Sequence, residues 1–212
     1  METMTTSIIL PFLVFFPFLG AVISYIIGRS NKGARDIWCW ILSAVIFIAS
    51  LMLVGKETVY SLRGFCGLGL SFAADGFGVI LAVLTGAIWL ITTIFSKEYM
   101  AAERNRNRYY FFVFLTLGAT MGIFLSADLF TTFIFFEIMS FTSFVLVMHD
   151  EEDFTVRSAK TYLAVAVIGG LVTLMGLFMM YQKAGTLNMT ELTAFMQSRE
   201  NPAEFYAIGV LI

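Results

Sequence analysis

Glu137 lies inside an apolar run, with Phe133-Ile134-Phe135-Phe136 before it and Ile138-Met139 after it, and its nearest charged neighbour along the chain is Asp128. Nine residues of α-helix at 1.5 Å each separate the two carboxyls by about 14 Å. Half of a ~30 Å hydrocarbon core is about 15 Å, so with Asp128 at one membrane boundary Glu137 falls close to the midplane. Holding a charge there costs at least about 2.5–3.5 kcal/mol. The chemistry this favours is a carboxyl that takes up or releases a proton according to whether a cation stands close by. The plainer alternative is a glutamate that stays protonated and only bonds across helices.

The other ionisable residues have simpler readings beside any functional one. Asp128 is placed to cap the helix that carries Glu137, and Asp75 to cap the helix that follows it. Lys160 falls in the first turn and a half of a later apolar segment, where it either snorkels to the membrane surface or turns inward to bias Glu137. His149 with Asp150, Glu151, Glu152 and Asp153 is a contiguous run without helical ligand spacing, which reads as a solvated acidic loop rather than a metal site. Cys39 and Cys66 are too few for a disulfide framework and are expected near opposite membrane faces. Gly-rich phosphate loops, Ser/His/Asp sets and cysteine clusters are missing from the sequence. The expectation is a chain with no cofactor, no metal and no redox chemistry of its own.

The elements that must position Glu137 follow from composition. Hydrophobic residues make up 59% of the 212 positions and charged ones 13%, against about a quarter charged in a soluble domain. The charges cluster, leaving apolar runs of about 20 residues, the length of a spanning helix. A net charge of −2 with no basic face speaks against nucleic acid as a partner. The expected fold is all-α, a polytopic transmembrane helix bundle with six full spans and the start of a seventh: 7–28, 37–54, 74–96, 109–126, 128–148 and 157–181. The first lacks a basic lead-in and is read as a retained span rather than a signal peptide. Residues 55–72 form a Gly-punctuated connector whose alternation through 68–72 hints at a short strand. Residues 189–197 suit a short amphipathic surface helix.

Gly118 and Gly122 in the fourth span, and Gly169, Gly170 and Gly176 in the sixth, suit close helix packing. Residues 204–212 begin another apolar run that stops at less than half a span, as expected of an N-terminal piece of a longer protein. Loops after odd-numbered spans hold nine cations (Arg29, Lys32, Arg35, Lys97, Arg104, Arg106, Arg108, Arg157, Lys160), and the others hold four (Lys56, Arg63, Lys183, Arg199). The basic excess places the odd loops in the cytoplasm and the N-terminus outside.

The stretch 72–181 resembles the antiporter-like membrane subunits shared by respiratory complex I (NADH:quinone oxidoreductase), Mrp-type sodium/proton antiporters and membrane-bound hydrogenases. The residues that carry the likeness are Phe72-Ala73-Ala74-Asp75-Gly76, Tyr99-Met100 with Glu103-Arg104, and Gly118…Gly122 with Ser126-Ala127-Asp128-Leu129. Phe136-Glu137 with Ser140-Phe141, and Ala159-Lys160-Thr161-Tyr162, complete the set. The resemblance implies that Glu137 is the proton-translocating glutamate and Lys160 a modulating lysine seen in some members. It also implies two inverted repeats, of which 1–125 would precede the first and 126–212 would begin it. The family's seventh-helix lysine has no counterpart before Ile212.

The implied function is proton translocation within an NADH:quinone oxidoreductase-type or hydrogenase-type complex. The near alternative is an Mrp-type sodium/proton antiporter, and one of another class is a non-transporting assembly scaffold. The implied enzymatic role is that of a translocase subunit, with electron transfer on partner subunits. Expected partners are other membrane subunits, the lipid bilayer, and protons or sodium, in the inner membrane of a prokaryote. The basic asymmetry predicts that cysteines introduced at Asn105 and Glu152 react from the cytoplasmic side, and those at Ser61 and Asn188 from outside. Labelling of position 105 or 152 by an impermeant outside reagent would reverse the orientation.

Overall fold

The computed structural model describes residues 5–62, 64, 69–101, 103, 105–197 and 207–212. Cys66, Arg63, Arg104, Arg199 and residues 204–206 of the last apolar run lie outside the described residues. The chain is mostly helical: α1 (Ile9–Ser30), α2 (Lys32–Leu51), α3 (Gly76–Tyr99), α4 (Arg106–Phe124), α5 (Leu129–Val147), α6 (Asp153–Ala184) and α7 (Met189–Gln197). Three short strands accompany them: β1 (Thr5–Thr6), β2 (Thr58–Leu62) and β3 (Leu70–Ala74).

Five of these helices, α1, α2, α3, α5 and α6, are long and apolar enough to cross a bilayer. The fourth expected span is present as α4 but falls outside that group. It opens on Arg106-Asn107-Arg108 and carries Thr116 and Thr120, and Tyr110, Val113, Phe114, Leu117, Ala119 and Met121 on it are all buried. A helix surrounded by other helices has no need of a lipid-facing apolar surface, so its composition is less greasy than theirs. It packs directly against α1, α3 and α5.

Close approach is set by small residues on α4. A Cβ at Gly118 would lie 2.6 Å from the Phe18 ring and 2.9 Å from the Val14 carbonyl oxygen of α1. At Gly122 a Cβ would run into the Phe135 ring of α5. The two glycines thus admit different neighbours. Polar side chains then tie the helices in pairs, as hydrocarbon requires of any donor buried in it. Trp38 Nε1 donates to the Gly20 carbonyl (3.1 Å), Trp40 Nε1 to that of Thr93 (3.2 Å), and Trp89 Nε1 to that of Val113 (3.0 Å). Ser43 Oγ reaches Thr93 Oγ1 at 2.9 Å, and Thr116 Oγ1 reaches Thr142 Oγ1 at 2.9 Å.

A three-stranded sheet adds β structure to the expected all-helical architecture. β1 pairs parallel with β2, and β2 pairs antiparallel with β3 in the register Thr58↔Ala74 through Leu62↔Leu70. The connector leaves the hydrocarbon, so its backbone needs partners that helices cannot give it, and the alternating pattern selects a hairpin. Leu70, Phe72 and Ala74 turn inward and are buried, and Phe72 packs against the rings of Phe15 and Phe135 at centroid distances of 6.3 and 5.8 Å. The sheet joins the helix ends through Ala73 N to Leu125 O and Ala127 N to Ser71 O, both 2.8 Å.

At the other end of the bundle the expected loop 29–36 is absent. Asn31 alone separates α1 from α2, and its Oδ1 accepts from Gly33 N (2.9 Å) and Ala34 N (3.1 Å). The second helix therefore starts five residues before the expected span, because this cap and the pairing of Arg35 with Asp36 satisfy its charged first turns. Gly118→Val should lower the thermal midpoint of the purified protein by several degrees, since overpacking of this kind costs about 1–3 kcal/mol. Gly169→Val, at a position with open space around its Cβ, should leave it nearly unchanged; equal shifts in a thermal-melt assay would refute the α1–α4 contact.

Candidate functional site

Asp128 fixes the start of the helix that carries Glu137. Its Oδ1 accepts from Thr131 N at 2.7 Å, and its Oδ2 accepts from Thr131 Oγ1 at 2.6 Å. Oδ2 also accepts from Ser71 N at 3.2 Å, so the capping carboxylate binds α5 to β3. The sequence pointed to the cap; the tie to the strand emerges only in the folded chain. Asp75 likewise caps α3, accepting from Gly78 N at 2.6 Å.

Glu137 lies midway along α5, eight residues after Leu129 and ten before Val147. It is half-buried at the α5–α6 interface, in a crevice it shares with Ser140, Phe141, Leu163, Ala166 and Val167. Its carboxyl lies flat against the α6 backbone at Gly170. A Cβ there would stand 2.8 Å from Glu137 Cδ and 2.9 Å from Oε2, closer than any side chain tolerates. Among the described residues Glu137 has no hydrogen-bond or ion-pair partner, unlike the buried hydroxyls and indoles described above. Gly170 appeared in the sequence as one of several packing glycines, and nothing there distinguished it from Gly169, whose Cβ would meet open space.

Lys160 is exposed, on α6. Ten residues separate it from Gly170, about 15 Å along the helix axis, so the structure does not bring it to Glu137. The outward surface of α6 carries Val165, Ile168, Leu171, Met175 and Phe178, each more than 60% exposed. His149 and the acidic run form the turn between α5 and α6, where Arg108 pairs with Glu151 and donates to the His149 carbonyl at 2.8 Å. Among the described residues no group of three metal-ligating side chains assembles.

One constellation was missed in the sequence. Arg35 and Asp36, read as loop residues, are buried at 1% and 6% exposure. Arg35 Nη2 and Asp36 Oδ1 are 2.7 Å apart, and Arg106 Nη2 approaches Asp36 Oδ2 at 3.3 Å. The Arg35 guanidinium lies 4.8 Å from the Tyr110 ring centroid, and its Nη1 donates to Asn107 Oδ1. The available signal was the charged tripeptide opening α4, which needs a partner of opposite sign if the helix starts inside the bundle.

The fold is that of a multi-pass membrane protein and resembles antiporter-like membrane subunits. Residues 126–212 match the family described as NADH:quinone oxidoreductase/Mrp antiporter, TM. Over its whole length the chain is homologous to bacterial antiporter subunits. It is 29% identical to a Na(+)/H(+) antiporter subunit of Bacillus subtilis (strain 168), an alignment covering 99% of this chain and 43% of the relative. It is 30% identical to the putative antiporter subunit mnhD2 of Staphylococcus epidermidis (strain ATCC 35984), covering 93% and 40%. The chain thus spans about two-fifths of the length of these relatives.

Two solved structures share the fold. The membrane-bound sulfane sulfur reductase, an archaeal respiratory membrane complex, superposes with a TM-score of 0.81 at 18% identity, covering 93% of this chain and 42% of that one. The Mrp complex from Dietzia sp. DQ12-45-1b gives 0.81 at 21% identity, covering 95% and 22%. The contact between Glu137 and Gly170 predicts that a hydrophobic carbodiimide modifies Glu137 in membranes, detected by peptide mass spectrometry. Gly170→Leu should displace the carboxyl and lower that labelling, whereas Gly169→Leu should not; unchanged labelling in Gly170→Leu would contradict the geometry.

Proposed function

We propose that this chain forms the N-terminal helices of a cation-translocating subunit in a multisubunit membrane complex, with Glu137 as its proton-binding residue. In this reading α1 to α6 are six full spans, residues 207–212 belong to the start of a seventh, and the boundary near residue 125 separates leading helices from the first core repeat. The N-terminus faces outward and the Arg/Lys-rich end faces the cytoplasm of a prokaryotic cell. The observation that carries the reading is the carboxyl of Glu137, without a partner among the described residues, midway along a spanning helix and seated on the backbone of Gly170.

A carboxyl so placed answers to whatever cation comes near. A lysine brought toward it stabilises the carboxylate and releases the proton; its withdrawal favours uptake. Such a lysine would come from outside the described residues. Lys160, exposed on α6, is available to an adjoining helix and acts as a modulator rather than the direct counter-charge. The sodium/proton antiporter relatives favour an Mrp-type setting, exchanging sodium for protons, over the redox-linked one that the resemblance first suggested. The sulfane sulfur reductase likeness keeps a redox-linked complex as the second reading. A scaffold that only packs other subunits has no use for a midplane carboxyl.

Glu137→Gln in the full assembly should reduce ion-coupled proton flux in reconstituted vesicles on the order of a hundredfold, the scale of removing a group that transfers the proton, while membrane insertion stays normal. Lys160→Ala should cause only a partial loss. Full flux in Glu137→Gln would leave the scaffold reading standing.

A further inference from the structure

The end of the bundle opposite the sheet contains a feature that proton transfer does not use. A cavity of about 900 Å³ opens there between α1, α2 and α4, within the size range of small-ligand sites. Its charged lining is Lys32, Arg35, Arg106 and Arg108 against Glu103. Behind the wall, Asp36 pairs with Arg35 and Arg106, and Glu151 pairs with Arg108. Among the described residues these four cations face three carboxylates, an excess of one positive charge.

Donors are left over as well as charge. Among the described residues the buried Nε atoms of Arg106 and Arg108 have no hydrogen-bond partner, while Arg106 Nη2 donates to Asp36 and the Lys97 carbonyl, and Arg108 donates through its Nη atoms to Glu151 and the His149 carbonyl. Asn105, at φ 61°, precedes α4 without a side-chain cap, so no side chain at that position offsets the partial positive charge of the helix end. The Lys32 ammonium has no partner among the described residues. Asn105 and Asn107 also line the cavity, and its aromatic side is formed by Tyr25, Phe111 and Phe112, with the Tyr25 and Phe111 rings meeting edge to face at 5.7 Å.

We propose that this cavity binds the phosphodiester headgroup of an anionic phospholipid, with Arg106, Arg108 and Lys32 around the phosphate and an acyl chain along Tyr25 and Phe111. A free phosphate would satisfy the cations but leave the aromatic wall unused. A phospholipid satisfies both, and a cavity at the ends of spanning helices lies at headgroup level. Guanidinium groups suit the phosphate because their planar donors can hold two oxygens at once. Arg35 is committed to Asp36 and Asn107 and serves as the rigid floor. The site is independent of Glu137.

The test is native mass spectrometry of the assembled complex from membranes, followed by delipidation and re-addition of phosphatidylglycerol, phosphatidylcholine or inorganic phosphate. The wild type should retain and rebind phosphatidylglycerol in preference to phosphatidylcholine. K32Q/R108Q leaves the Arg35–Asp36–Arg106 cluster intact and should weaken that binding roughly thirtyfold, the effect of two cations at a membrane surface. Thermal melting of the variant without lipid controls for folding. Equal retention of the two lipids, or undiminished selectivity in the variant, would overturn the proposal. So would full competition by millimolar inorganic phosphate, which would assign the cavity to a soluble anion. Loss of another subunit from K32Q/R108Q without change in lipid would assign it to an acidic protein segment.

Discussion

Hydrocarbon offers no hydrogen bonds, and the arrangement of this chain depends on that constraint. Every backbone group inside the bilayer must find its partner within the protein, which makes the long elements helices and confines the sheet to one end. The same rule governs side chains. The three indole N–H groups each reach a carbonyl on a neighbouring helix, and hydroxyls join α2 to α3 and α4 to α5. Against this background a carboxyl without a partner among the described residues is conspicuous. Among the described residues Glu137 stands outside that pairing, as do the buried Tyr110 hydroxyl and the Nε atoms of Arg106 and Arg108, and functional sites are where such local conflicts are expected.

The two ends of the bundle are held by different physics. At the sheet end, backbone hydrogen bonds and the Asp128 cap join β3, the α4–α5 turn and the segment after α6, where Leu129 N donates to Leu187 O at 3.0 Å. Asp128 orients the first turn of α5, so the sheet indirectly sets the depth and rotation of Glu137 on the same helix. At the other end, charges replace strands. Arg35, Asp36 and Arg106 draw α2 and α4 together, and Arg108 reaches the α5–α6 turn. A buried ion pair of this kind is costly to desolvate, and removing one partner alone is more damaging than its net contribution to stability suggests. Its surplus positive charge is also what makes that end attractive to an anion.

The apolar runs showed roughly where the long helices lie, because a spanning length of greasy residues has few other fates, although α4 is less apolar than the five helices that qualify as spans. Glu137, Asp128 and Asp75 were legible for a related reason: an ionisable group in or beside such a run must either cap a helix or be used. Charge clusters were harder to read. Residues 29–36 looked like a loop because a Lys, Arg and Asp cluster reads as solvated; Arg35 pairs with the adjacent Asp36, but Asn107 and Arg106, which complete the buried cluster, arrive from about 70 residues away. What sequence alone determined, then, was the long apolar helices, the Asp128 and Asp75 caps and the place of one carboxyl midway along its helix, all consequences of local composition and the 1.5 Å rise. Only the tertiary structure decided that α4 is the enclosed helix, that Gly170 and not Gly169 receives the Glu137 carboxyl, that Lys160 stands apart from it, and that Arg35 is buried. Each depends on which faces meet across distant segments, and helical periodicity leaves that open until packing selects the neighbours.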